Sequence, residues 1–193
     1  RYNVSYIIGQ RELFQSPVFA GALLAAVPAY NLAVARNPVP VKPRAYVSRQ
    51  PERAAAPVAL PVLLSRSDFL NGEVDVVESP DADLPGPARD GQAVIERYAP
   101  EEVTIRVRSS QPAVLILLDA FEAGWTATLD RTTELPIRRA NGLVRAVTVP
   151  SGSHAVTFAY RTPWLATGAV LSGVGLLLCG MVLIRRRGSG QAL

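Results

Sequence analysis

The chain has 193 residues, of which 49% are hydrophobic and 19% charged, with 16 Pro and a single Cys. This composition excludes a disordered chain and a coiled coil, and one Cys can form neither an internal disulfide nor a Cys-rich zinc site. Three charges of the formal net +4 come from Arg185, Arg186 and Arg187, so the rest of the chain carries no clustered basic face of the kind that binds nucleic acid.

Residues 1–78 are predicted to form a small α+β region. Apolar residues that alternate with polar ones indicate short strands over residues 2–8, 30–34, 44–48 and 73–78. Residues 51–65 have a helical composition, but Pro57 and Pro61 would interrupt a long helix. Residues 79–91 are rich in Pro, Gly and Asp and are therefore predicted to be a linker.

Residues 92–162 are predicted to form an antiparallel β-sandwich. Apolar or alternating runs separated by turns predict about seven strands, over residues 93–98, 103–107, 114–118, 125–129, 135–140, 143–149 and 154–160. The Asn141-Gly142 pair lies between two of these runs and predicts a two-residue type I′ hairpin. The expected fold class is thus mainly β, with a small α+β region before the sandwich and one helix after it.

Residues 164–184 are predicted to form a transmembrane helix. Positions 165–184 contain no charged residue, and a helix of that length spans about 30 Å, the thickness of the bilayer core. Trp164 suits the membrane interface at one end, and the Arg triplet lies at the other. The positive-inside rule then predicts a cytoplasmic basic tail, residues 185–193, and a body outside the cytoplasm.

One stripe of this helix is lined with small residues: Gly168, Ser172, Gly175 and Cys179. Small residues allow close packing between helices in lipid, so the stripe predicts contact with other transmembrane helices. No signal peptide precedes the exported body. The chain is therefore expected either to have been trimmed or to belong to a longer protein with upstream transmembrane helices.

Candidate binding residues surround one Trp. Asp119 and Asp130, with Glu122, bracket Trp125, an arrangement that would suit a sugar stacked on the indole, whereas the alternative is a structural Trp in the sandwich core. His154, the single His, is a further candidate for substrate binding, and its alternative role is that of a hydrogen-bonded residue at a strand end. No catalytic residue, cofactor or metal site is predicted, because no nucleophile motif or ligand cluster occurs.

Several sequence segments resemble the YfhO family of bacterial polytopic membrane proteins. LLDAFEAGWTATLD is similar to the family segment in which a buried strand leads into Gly-Trp and then Asp, and PIRRANGLVRAVTVPSGSHAVTFAYRTP continues it. NVSYIIG, VARNP, PRAYV and VIERYAPEEVTIRV also follow the family order, so the resemblance covers nearly the whole chain. Gly124-Trp125 with Gly152-x-His154 is its most specific part. Asp130-Arg131 departs from the Asp-Gly that is common in the family.

This resemblance implies a GT-C-type glycosyltransferase that uses a lipid-phosphate-linked sugar on the outer face of the bacterial cytoplasmic membrane. The expected catalytic acid of such a protein lies in its first extracytoplasmic loop, which these residues do not include. The chain would thus be the C-terminal extracytoplasmic accessory domain and last membrane span. Its expected partners are the lipid bilayer, upstream helices of the parent protein, a polyprenyl-phosphate sugar and a glycan or envelope-polymer acceptor.

Two other hypotheses remain at the level of sequence. The first is a single-pass, surface-anchored β-sandwich protein with a binding or structural role. The second is an independent hydrolase that uses Asp119, Glu122 or Asp130, since pairs of carboxylates serve glycoside hydrolysis.

Overall fold

The structure, a computed structural model, describes residues 5–38, 41–55, 60–79 and 84–188, without the side chains of residues 18, 166 and 182–188. The chain is mainly β and divides into two units, residues 1–160 and residues 161–193. Residues 1–4, where the first predicted strand begins, lie outside the described residues, as do Pro57 and residues 80–83 of the predicted linker.

The described residues contain fourteen strands and three helices. The strands are β1 (Tyr6–Gln10), β2 (Leu23–Val27), β3 (Leu32–Arg36), β4 (Ala45–Val47), β5 (Pro51–Ala54), β6 (Asp75–Glu78), β7 (Gln92–Ala99), β8 (Glu102–Ser109), β9 (Ala113–Ala120), β10 (Trp125–Leu129), β11 (Thr133–Leu135), β12 (Arg138–Ala140), β13 (Val144–Val149) and β14 (Gly152–Tyr160). The helices are α1 (Leu60–Leu64), α2 (Ser67–Leu70) and α3 (Leu165–Gly188).

A small three-stranded sheet forms the start of the first unit, in the order β1-β3-β2. Phe14, which lies in a short 3₁₀ turn, packs with the buried Ala33 and Ala35 on one face. The other face is open, and Tyr6 and Ile8 on it are 57% and 70% exposed. β2 was not among the predicted strands, because its Leu-Leu-Ala-Ala-Val sequence does not alternate.

The two larger sheets pack face to face and enclose the main core. One has the order β11-β10-β14-β8-β7, and the other has the order β4-β9-β13-β12-β6-β5. Ile105 and Phe158 of the first meet Leu115 and Leu117 of the second, and all four are fully buried. Side chains of this size each contribute roughly 1.5–3 kcal/mol when they are buried.

The six-stranded sheet is built from both sides of residues 79–91. β4 pairs with β9, with Ala45 opposite Leu117, and β6 pairs with β12, with Val77 opposite Ala140. Since these strands share one sheet, the predicted α+β region and the predicted sandwich meet in a common structure. Pro51–Ala54 forms β5, parallel to β6, where the sequence composition suggested a helix.

The predicted hairpin joins β12 and β13, and its loop is longer than expected. Asn141 and Gly142 both have positive φ angles, 51° and 76°, as the Asn-Gly signal requires. Ala140 pairs with Val144, however, so the loop contains three residues. The reason lies in Asn141, whose backbone N–H donates to the Val76 carbonyl and thereby ties the loop to β6.

The C-terminal helix corrects the prediction of a membrane span. In the part of the chain that the structure describes, no helix has both the length and the apolar character needed to cross a bilayer, so the transmembrane helix predicted over 164–184 is wrong.

The predictions that depended on this span lose their basis. The positive-inside argument for the basic tail, residues 185–193, applies only to a helix that crosses a membrane, and residues 189–193 lie outside the described residues. The predicted packing stripe lies exposed along α3 at Gly168, Ser172, Gly175 and Cys179.

Candidate functional site

The four predicted binding residues lie at two separate ends of the sandwich. Trp125 begins β10 opposite Tyr160, and the other end of the same strand pair carries Asp130 and His154. At ~3.3 Å per residue, five residues of strand separate the two ends by about 16 Å. Asp119 lies at the Trp125 end. The structure therefore brings Trp125 and Asp119 together and places Asp130 and His154 elsewhere.

A buried arginine organises the Trp125 end. Arg145, in β13, is only 3% exposed, and its guanidinium carbon lies 3.7 Å from the centroid of the Trp125 ring. Its Nε donates to the Ala120 carbonyl over 3.1 Å, and its Nη2 lies 3.5 Å from an Asp119 carboxylate oxygen. Burial lowers the pKa of the Arg145 guanidinium, and the Asp119 carboxylate opposes that shift.

A second arginine shares the same carboxylate at the surface. Arg44 Nη2 lies 2.7 Å from Asp119 Oδ1, and Arg44 stacks on the Tyr98 ring with its guanidinium carbon 4.2 Å from the ring centroid. The Arg44 side chain is 46% exposed and Tyr98 is 50% exposed. Two guanidinium groups thus share one carboxylate at this end of the sandwich.

The surroundings of Trp125 restrict what the ring can bind. Arg145 covers one face of the indole, and the Tyr160 ring lies beside it with the two centroids 5.3 Å apart. Trp125 remains partly exposed. A ligand can therefore approach the uncovered part of the ring. Arg44 and Tyr98 belong to the same end of the sandwich through Asp119, which both of them contact. We name these three partly exposed residues, Trp125, Arg44 and Tyr98, the aromatic rim.

Asp130 and His154 form an ion pair at the opposite end. His154 Nδ1 lies 2.7 Å from Asp130 Oδ2, and His154 Nε2 lies 3.1 Å from the Ser151 carbonyl oxygen. Asp130 Oδ1 also accepts a hydrogen bond from the Ala155 N–H. The hydrogen bond that His154 makes to the Asp130 carboxylate, and then the one to the Ser151 carbonyl, raise the pKa of His154, and the same contact with His154 lowers the pKa of Asp130.

This pair is arranged for structure rather than for nucleophilic catalysis. Both ring nitrogens of His154 lie within hydrogen-bond distance of protein oxygens, so neither nitrogen is free to accept a proton from a serine hydroxyl. Asp119 and Asp130 each pair with a basic side chain and lie at opposite ends. Glu122 is exposed in the loop before Trp125. Among the described residues, no group of three or more His, Cys, Asp or Glu could hold a metal ion.

Another buried charge ties the six-stranded sheet together. Asp75 is fully buried, and its carboxylate accepts hydrogen bonds from Lys42, Tyr46, Ser48 and Asn141. These donors come from β4, its flanking residues and the β12–β13 loop. The Asp75 cluster therefore fixes the position of β4 beside the hairpin, and we assign it a structural role.

The sequence reading missed Arg145 and Asp75. Arg145 shares its strand face with the buried Val147 and Val149, so its position in the alternation of β13 marks it as an inward-facing charge. Asp75 begins a strand and carries no such signal. Its burial follows from the pairing of distant strands.

Comparisons of the chain with models of known protein families, with curated proteins and with solved structures found no match.

Proposed function

We propose that this chain is a non-catalytic β-sandwich domain that binds a glycan acceptor for a larger bacterial membrane protein resembling the YfhO family. The parent protein in this proposal is a lipid-linked-sugar-dependent glycosyltransferase of cell-envelope polymers. The observation that carries the binding role is the aromatic rim: Arg145 covers one face of the partly exposed Trp125, and Asp119 links Arg145 to Arg44, which stacks on Tyr98. An apolar ring surface beside a few fixed polar groups is the usual composition of a small-molecule site.

The proposed location rests on the sequence resemblance. The domain would lie on the extracytoplasmic side of the cytoplasmic membrane and would be held there by upstream helices of the parent protein. The polyprenyl-phosphate sugar would be used by the catalytic part of the parent, so the domain's own ligand is the acceptor. The pairing of Asp119 with Arg44 and of Asp130 with His154 supports binding over hydrolysis, because neither carboxylate is left free for acid–base chemistry.

Tryptophan fluorescence tests the binding role. In the full chain, Trp164→Phe leaves Trp125 as the single Trp. We expect linear oligomers of glucose or N-acetylglucosamine to change its emission in a saturable way, with a Kd of about 1 mM, typical of a shallow site with few contacts.

Variants of single residues provide the controls for this fluorescence experiment. Arg44→Ala should weaken the response about tenfold, the equivalent of one lost charge-assisted hydrogen bond. Arg11→Ala, in the short 3₁₀ helix that follows β1, should leave the response unchanged. Trp125→Phe with Trp164 retained should show no response. A Trp125 emission that does not saturate with any of the oligomers contradicts the proposal.

A further inference from the structure

A groove lies at the edge of the sandwich where β4 and β7 meet. It has a volume of about 790 Å³ and is lined by both edge strands and the turn before β6. A second pocket of about 440 Å³ shares Arg49 and Glu73 with it and extends to Arg89. The two form one elongated depression, which we name the edge groove. It contains none of the residues of the aromatic rim.

The backbone of β4 presents unused hydrogen-bonding groups to this groove. The Leu118 N–H donates to the Arg44 carbonyl, and the Ser48 N–H donates to the Val114 carbonyl. In the antiparallel ladder these bonds alternate, so the N–H and C=O groups of Ala45 and Val47 point away from β9, toward the open edge.

Those groups have no partner among the described residues, although they are enclosed. Ala45 and Val47 are 4% and 6% exposed, both line the edge groove, and the structure gives neither of them a hydrogen bond beyond the β4–β9 ladder. Unpaired backbone groups at such burial are rare in proteins. An extended chain that runs along β4 would supply the missing donors and acceptors, as in other cases of strand addition.

The charges around the groove indicate that a bound peptide would be acidic. Arg49 and Arg89 are exposed and form no ion pair within the described residues. Among the described residues, Glu73 is the single acidic side chain that lines the depression. The Lys42 charge, also in the lining, is balanced by Asp75. The groove thus carries an excess of positive charge along an edge of open backbone.

A saccharide fits these features less well. The Lys42 ammonium lies 4.5 Å from the centroid of Tyr46, which is the aromatic side chain that the groove offers, so that ring face is not free for stacking. Open backbone groups on an edge strand favour a peptide, whose own backbone matches their spacing.

We propose that the edge groove binds an extended, acidic peptide segment of a partner protein, which adds as a strand to β4 and places carboxylates beside Arg49 and Arg89. This site and the aromatic rim are separate, and either can exist without the other.

Short synthetic peptides test the proposal on the full chain. The probe is a fluorescein-labelled, end-blocked peptide of alternating Glu and Val, and fluorescence anisotropy measures its binding. We expect saturable binding to the native chain and at least tenfold weaker binding of the same peptide carrying N-methyl groups on alternate residues, since these remove the backbone donors.

Charge reversal supplies the matched variants. Arg49→Glu with Arg89→Glu should weaken the acidic peptide at least tenfold and favour the equivalent Lys-Val peptide, whereas Arg11→Glu should have no effect. Circular dichroism confirms that each variant is folded.

Three results overturn the proposal. The first is that the acidic peptide shows no saturable binding. The second is that the N-methylated peptide binds as tightly as the unmodified one. The third is that oligogalacturonate, an acidic saccharide, binds in place of the peptide and loses its binding in the double variant.

Discussion

At the scale of single residues, the Asp130–His154 pair makes stability depend on pH. His154 has a pKa raised above its ordinary 6.5, so the protonated ring stabilises the fold fully below pH 6.5 and ceases to do so as the pH rises through its folded pKa. Asp130 has a pKa lowered below its ordinary 3.8, so its contribution is present above pH 3.8 and is lost as the pH falls through the lowered value.

His154→Gln tests this pH dependence directly. The chain has one His, so the free energy of unfolding of the native chain should decline as the pH rises from about 6.5 through the raised pKa of His154, and this decline should be nearly absent in the variant. Urea unfolding at a series of pH values measures it. Equal slopes in both proteins would show that the pair does not contribute to stability.

The positions of some site residues could be predicted from the sequence, and those of others could not. Trp125 and Asp119 were predicted as neighbours and do meet around Arg145. Asp130 is close to Trp125 in sequence but lies at the far end of β10, because each residue of an extended strand adds ~3.3 Å to the distance. Asp75 could not be foreseen, since its donors come from segments distant in sequence.

At the scale of elements, the close approach of β4 and β7 depends on one glycine. A Cβ added at Gly91 would lie 2.3 Å from Val47 Cγ1 and 2.6 Å from Val47 Cβ. Since the second of these atoms cannot rotate away, the start of β7 has to move from β4.

Gly91→Ala should therefore destabilise the fold by about 1–3 kcal/mol, the usual cost of overpacking. Gly86→Ala is the matched control, because nothing lies within 4 Å of a Cβ added at that position. Urea unfolding followed by circular dichroism measures both. If the two variants are equally stable, the contact between Gly91 and Val47 is not as tight as described.

Periodicity predicted the elements of the second half better than those of the first. Each of the seven runs predicted between residues 93 and 160 overlaps a strand. The reason is that burial either alternates along the strand, as in β8, or covers both faces, as in β9, and each case leaves a recognisable apolar pattern. Strand β5 was not predicted, since a segment of four residues that begins with Pro is too short to show an alternating pattern. The membrane helix predicted over residues 164–184 is wrong, since no helix among the described residues is long and apolar enough to cross a bilayer.

At the scale of the whole molecule, the division into two units predicts that the β unit is independent. A chain that ends at Thr162 keeps all of residues 1–160 and should unfold cooperatively, within about 0.5 kcal/mol of the full chain, as expected for a self-contained domain.

Trp125 is then the single Trp in the chain, and its fluorescence reports the transition. The full chain with Trp164→Phe serves as the reference, because it retains the same reporter. Loss of a cooperative transition on truncation would mean that residues 163–193 contribute to the stability of the β unit.

The order of strands has a consequence for synthesis on the ribosome. β4 is synthesised early, but its partner β9 emerges only after β7 and β8. In the same way, Val77 of β6 can pair only after Ala140 of β12 has been synthesised. Contacts so distant in sequence form slowly. The nascent chain therefore carries β4 and the β12 side of β6 without their partners until residues 113–140 have emerged, and chaperone binding during that interval should favour the segment 44–78.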